Sequence, residues 1–166
     1  MSKKNQVIIA IVGTLVALGI TAINILNTNE VDGMKLDSKL LPMILIAGLL
    51  STFIFTLVSA LINKLFIWLS QLGQEEAQSV TFMTSWYATI VSQLPVMIIN
   101  VFAIIVLNLY KADNGIAAII GGVVNAILFT LILRQNNTIT KRTQIIYVII
   151  MVILTLALNF KVFMGQ

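Results

Sequence analysis

The sequence predicts an all-α protein, a polytopic bundle of five transmembrane helices with the N-terminus inside and the C-terminus outside. Three observations carry this. Of the 166 residues, 59% are hydrophobic and 10% charged, whereas soluble domains are roughly a quarter charged. Five apolar runs, residues 7–26, 40–62, 86–110, 116–133 and 145–163, match the ~20 residues of helix that a bilayer core requires. Basic residues gather in alternate connections: Lys3, Lys4, Lys64, Arg134, Lys141 and Arg142 fall on one side, and Lys35, Lys39, Lys111 and Lys161 on the other. Short basic loops stay in the cytoplasm, and Arg134 with Lys141-Arg142 brackets the most basic one. Residues 1–166 are read as one integral membrane domain.

The first run follows Lys3-Lys4 and exceeds the 7–15 residue core of a cleavable signal. Thr21-Ala22-Ile23-Asn24 is a poor cleavage site, so a retained span is expected. The loop from Asn27 to Lys39 sets Glu30, Asp32 and Asp37 against Lys35 and Lys39 with a turn at Asp32-Gly33. It lacks the ligand pattern of a calcium loop and reads as a solvated outer connection. Small residues recur every fourth position: Gly13, Ala17 and Thr21 in the first run; Gly48, Thr52, Thr56 and Ala60 in the second; Ala118, Gly122 and Ala126 in the fourth. Such stripes let helix backbones approach closely where lipid supplies no hydrophobic drive.

After the second run, Leu65, Trp68, Leu69 and Leu72 repeat at helical spacing, opposite Lys64, Gln71 and Glu75. This predicts a short amphipathic helix in the inner headgroup layer, or a continuation of the second span. Trp68, Phe82, Trp86 and Tyr87 fit interfacial aromatics. Leu65, Trp68, Leu69, Leu72, Phe82, Trp86 and Tyr87 together form a candidate surface for a partner.

The third run carries Trp86, Gln93, Met97, Asn100 and Ile104 on one helical face. Pro95 has no amide hydrogen, so the carbonyl of Val91 loses its helical partner and a kink is expected. Gln93, Pro95 and Asn100, with Asn24 and Asn125 from other runs, make a candidate polar cluster. In hydrocarbon an unpaired amide costs several kcal/mol. The amides are expected to fasten helices together; a polar site for a solute at the kink is the alternative.

Composition also excludes chemistry. There is no cysteine and no histidine, hence no disulfide, thiolate or imidazole metal site. The span interiors hold no acid or base of the kind that marks proton relays. No nucleophile–base pair, phosphate-cradling glycine loop or HExxH helix is present. The expectation is a protein without catalytic residues, cofactor or metal, whose partners are membrane lipids and either another integral membrane protein or itself. The scattered basic residues do not form a nucleic-acid site.

The feature order resembles the YIP family, the Ypt/Rab-interacting five-span membrane proteins and their bacterial relatives. Val80-Thr81-Phe82, then Tyr87-Ala88, then Leu94-Pro95 is similar to that family's serine-phenylalanine, tyrosine and proline pattern. Where members carry paired glycines before the phenylalanine, this chain has Gly73-Gln74-Glu75-Glu76. The resemblance implies a bacterial-type member in the cytoplasmic membrane, acting as scaffold or accessory subunit by helix–helix contact. Its partner would be another membrane protein, such as a peptide exporter or bacteriocin-protection system. The alternative is a small channel or carrier built on the Pro95 kink.

Overall fold

The computed structural model describes residues 1–27, 30–31, 34–35, 40–74, 78–105 and 115–160. They form five helices, α1 (Lys3–Asn27), α2 (Leu41–Ser70), α3 (Phe82–Ile105), α4 (Gly115–Gln135) and α5 (Lys141–Leu158). Each is long and apolar enough to cross a membrane. Two short strands, β1 (Glu30–Val31) and β2 (Met34–Lys35), pair antiparallel in the first connection, Glu30 opposite Lys35. The Asp32-Gly33 turn lies outside the described residues, as do the expected ends of the third and fifth runs.

Helix α2 begins with Pro42 in its first turn, where the missing amide hydrogen costs nothing. It then runs unbroken to Ser70, roughly 45 Å at 1.5 Å per residue against a core of ~30 Å. The amphipathic segment is therefore no separate interfacial helix: it is the last turns of α2. No proline or glycine interrupts residues 62–70, and the first breaker is Gly73 at φ 74°. Leu65, Trp68, Leu69 and Leu72 point outward, Trp68 being 57% exposed, while Asn63, Ile67, Ser70 and Gln71 face the bundle. Polar side inward is the arrangement of a lipid-facing helix end.

Both α3 and α5 start earlier than their apolar runs, because each is capped by a Thr-x-x-Thr pair. Thr81 Oγ1 accepts from the Thr84 amide at 3.2 Å, and Thr140 Oγ1 from the Thr143 amide at 3.1 Å. Each satisfies an amide the first helical turn leaves unpaired. Helix α4 ends in a Schellman turn, with Thr138 N–H donating to Leu133 O and Asn137 N–H to Arg134 O, both at 2.9 Å. Asn137 takes the left-handed position at φ 54°, which asparagine tolerates better than most residues. Pro95 lies within α3, which continues on both sides of it.

Helix α3 is central, packing against α1, α2 and α4, while α5 packs on α4 and α2. The small-residue stripes are seams within the bundle at Gly13, Gly48 and Gly122, whereas Ala118 of the fourth-run stripe is exposed. A Cβ on Gly13 would meet Ile90 of α3 at 3.1 Å, one on Gly48 would meet Ile25 of α1 at 2.5 Å, and one on Gly122 would meet Thr155 of α5 at 2.9 Å. Thr21 and Thr52, the latter one turn beyond Gly48, share a hydrogen bond of 3.1 Å between α1 and α2.

Candidate functional site

Alternating helix direction brings the start of α1, the end of α2, the start of α3, the end of α4 and the start of α5 to one end. Apart from Thr21 with Thr52, the described side-chain hydrogen bonds between helices gather in that half. Tyr147 OH donates to Asn63 Oδ1 at 2.7 Å, and Asn63 Nδ2 donates to Thr89 Oγ1 at 2.9 Å. Ser85 Oγ donates to the Ala60 carbonyl at 2.7 Å. The Tyr147 ring lies against Phe129 with centroids 5.3 Å apart, so one buried node joins α2, α3, α4 and α5. Tyr147 is 1% and Asn63 7% exposed.

The two Thr-x-x-Thr caps are reused as contact points. Thr84 Oγ1 donates to Gln6 Oε1 of α1 at 3.0 Å. Thr140 and Thr143 hydroxyls converge on Gln74 Oε1 at 2.9 and 3.1 Å, while Gln74 Nε2 donates to the Ser70 carbonyl at 2.7 Å. Gln74 thus straps the segment after α2 to the α4–α5 turn. A polar cleft of about 390 Å³ opens beside it, lined by Gln71, Gln78, Asn137, Thr138, Ile139 and Thr140. Gln71 Nε2 donates across its wall to the Gln78 carbonyl at 3.0 Å. Lys3, Lys4, Lys64, Arg134, Lys141 and Arg142 are all exposed and ring this end; Arg134 reaches Gln144 Oε1 at 3.1 Å.

The polar residues singled out from the third span are placed differently. Gln93, Asn24 and Asn125 are half-buried, while Pro95 and Asn100 are exposed on the outer half of α3. No hydrogen bond joins Gln93, Asn100 or Asn125 to one another, and Asn125 Oδ1 is enclosed without a partner among the described residues. Gly121, one turn before Asn125, packs on Val96, which sets Asn125 at the level of Gln93 in the α3–α4 seam. Among the bonds described above, the side-chain amides that join helices belong to Gln6, Asn63 and Gln74, none of them in the candidate cluster. For Gln6 and Gln74 the available signal is the Thr-x-x-Thr pair before the third and fifth apolar runs, whose hydroxyls they bond; Asn63, which bonds Thr89 and Tyr147, has no such local signal.

Of the candidate partner surface, Leu65, Trp68, Leu69 and Leu72 are exposed, and Phe82 and Trp86 half-buried. Those two rings stack with centroids 6.3 Å apart, and Trp86 Nε1 is enclosed without a described partner. Tyr87 is buried in the core, because it lies on the α3 face that meets the bundle, so it does not belong to an outward surface. No family model, curated protein or solved structure matches the chain.

Proposed function

We propose that this chain is a multi-pass membrane protein without catalytic activity, working by helix–helix contact as a scaffold or accessory subunit of another membrane protein. Its basic end lies in the cytoplasm and its membrane is the bacterial plasma membrane. The observation that supports this is Asn100, a carboxamide presented outward from α3 and roughly 21 Å along the helix from Trp86. An amide facing hydrocarbon is costly without a partner, and a second helix supplies one. The resemblance to YIP proteins around residues 80–95 agrees with an organising role and implies a peptide exporter or a bacteriocin-protection system as the partner class. A photo-crosslinking side chain at Asn100 in native membranes should capture a neighbouring protein, while one at Phe55, 65% exposed on α2, should label lipid. Equal labelling at the two positions would remove the reason for the reading.

A second reading, a carrier with a polar site near Pro95, draws on the enclosed Asn125 Oδ1 at the level of Gln93. Asn125→Cys should then react with membrane-impermeant thiol reagents, and a dry seam would leave it unlabelled.

A further inference from the structure

We propose that the helix seated on the Asn100 face is the same helix from a second copy of this chain, docked in parallel so that the two Asn100 side chains bond each other. This keeps from the reading above that the outer half of α3 is a contact surface, and assigns that surface to a second copy in place of a different protein. Away from the helix ends, most other outward positions of the described spans carry large apolar side chains, such as Leu15 on α1, Phe55 on α2, Ile120 on α4 and Ile153 on α5, the rest being small residues such as Gly19, Ser51 and Ala118. Asn100 is the exposed carboxamide among them. Its neighbours Ile98, Ile99 and Phe102 are more than half exposed and provide apolar contact around it.

A carboxamide is self-complementary, with two N–H donors and an acceptor oxygen on one planar group. Across a two-fold axis along the membrane normal, each Nδ2 donates to the other copy's Oδ1, so both amides are satisfied at once. Depth matches without adjustment, because both copies sit in the membrane in the same orientation. A foreign partner would have to bring a polar group at that same depth. Charge agrees with the placement. By sequence, the segments assigned to the outer side carry Lys35, Lys39, Lys111 and Lys161 with Glu30, Asp32, Asp37 and Asp113, four of each sign, whereas those assigned to the opposite side carry six basic residues with Glu75 and Glu76. Two parallel copies therefore meet at the end where they repel least.

The test uses the full chain, which has no native cysteine, reconstituted in phosphatidylethanolamine–phosphatidylglycerol vesicles. Ile99→Cys should form a disulfide dimer on mild oxidation several-fold faster than Phe55→Cys. Asn100→Leu should weaken dimerisation, read by energy transfer between labelled copies, by about tenfold, the order that an interhelical amide pair gives in model peptides. Asn100→Gln should retain part of the association. Its melting temperature should match the parent, showing that the fold is intact. Dimers of Asn100→Leu as tight as the parent, or Ile99→Cys no faster than Phe55→Cys, would overturn the second-copy assignment. If the purified chain is monomeric yet a crosslinker at Asn100 captures a different protein in native membranes, this inference falls and the contact reading stands. If the crosslinker captures no protein at all, both fall.

Discussion

Removing the hydroxyl of Tyr147 tests whether the buried node holds the bundle. Tyr147→Phe keeps the ring against Phe129 and deletes one 2.7 Å bond, orphaning Asn63 Oδ1 in a side chain 7% exposed. In a soluble core such an orphan costs about 1–3 kcal/mol. In membrane bundles single interhelical bonds average near 0.6 and reach about 1.7 kcal/mol, because the unfolded chain in the bilayer also finds partners. We expect about 1 kcal/mol for Tyr147→Phe. Asn63→Leu removes the bonds to both Tyr147 and Thr89 and strands a buried phenol, for roughly 2 kcal/mol. Thr89 can turn its hydroxyl to the carbonyl four residues back. The double variant replaces both ends of the Tyr147–Asn63 bond by apolar groups of similar shape, a change that can be nearly neutral for the pair. It should therefore be more stable than the sum of the singles by about 1 kcal/mol. Reversible unfolding in mixed micelles reads all four corners of the cycle. Additivity to within about 0.3 kcal/mol would show that the two side chains do not interact as described.

Other consequences follow from the packing. Gly122→Ala places a Cβ 2.9 Å from Thr155, a β-branched residue with little freedom to move, and should cost about 1–2 kcal/mol in the same unfolding assay. Gly19→Ala meets nothing within 4 Å and should be neutral or stabilising by up to about 1 kcal/mol; the reverse order would refute the seams. Gln74→Leu removes the acceptor shared by Thr140 and Thr143, so amide exchange at the start of α5 should quicken by roughly tenfold for a loss of about 1.4 kcal/mol in local opening. Exchange unchanged from the parent would mean that the strap is idle. Asn137→Cys should react only with reagents applied from the cytoplasmic side, as the basic residues on either side of the α4–α5 turn require; outside labelling would invert the topology.

Much of the bundle is legible in the chain because lipid imposes a simple rule: a span must be a long apolar helix with its amides bonded internally. The five runs and the small-residue seams at Gly13, Gly48 and Gly122 follow from that rule and from close packing. Helix ends are less legible, since a cap is a local polar event; Thr81 and Thr140 move two starts outward from the apolar boundary, and α2 passes its boundary at residue 62 because nothing stops it before Gly73. The sense of amphipathicity near Trp68 is misleading in another way. In lipid the apolar face turns outward, so Gln71 and Asn63, polar in the sequence, are the buried ones. Gln93 and Asn100 look equivalent on a helical wheel, yet which neighbours reach them depends on where α4 crosses α3, and residue spacing does not encode that. The polar bonds that do join helices link residues up to 84 positions apart, a separation at which no local pattern operates.

Comparing Asn100→Leu with Asn63→Leu in one experiment, with unfolding free energy in micelles and association in membranes read on the same preparations, separates the contact surface from the buried node. Asn100→Leu should lose association with stability unchanged, and Asn63→Leu should lose about 2 kcal/mol of stability while its folded fraction still associates. Asn100→Leu destabilised as much as Asn63→Leu, with association intact, would contradict the assignment of Asn100 to a contact surface.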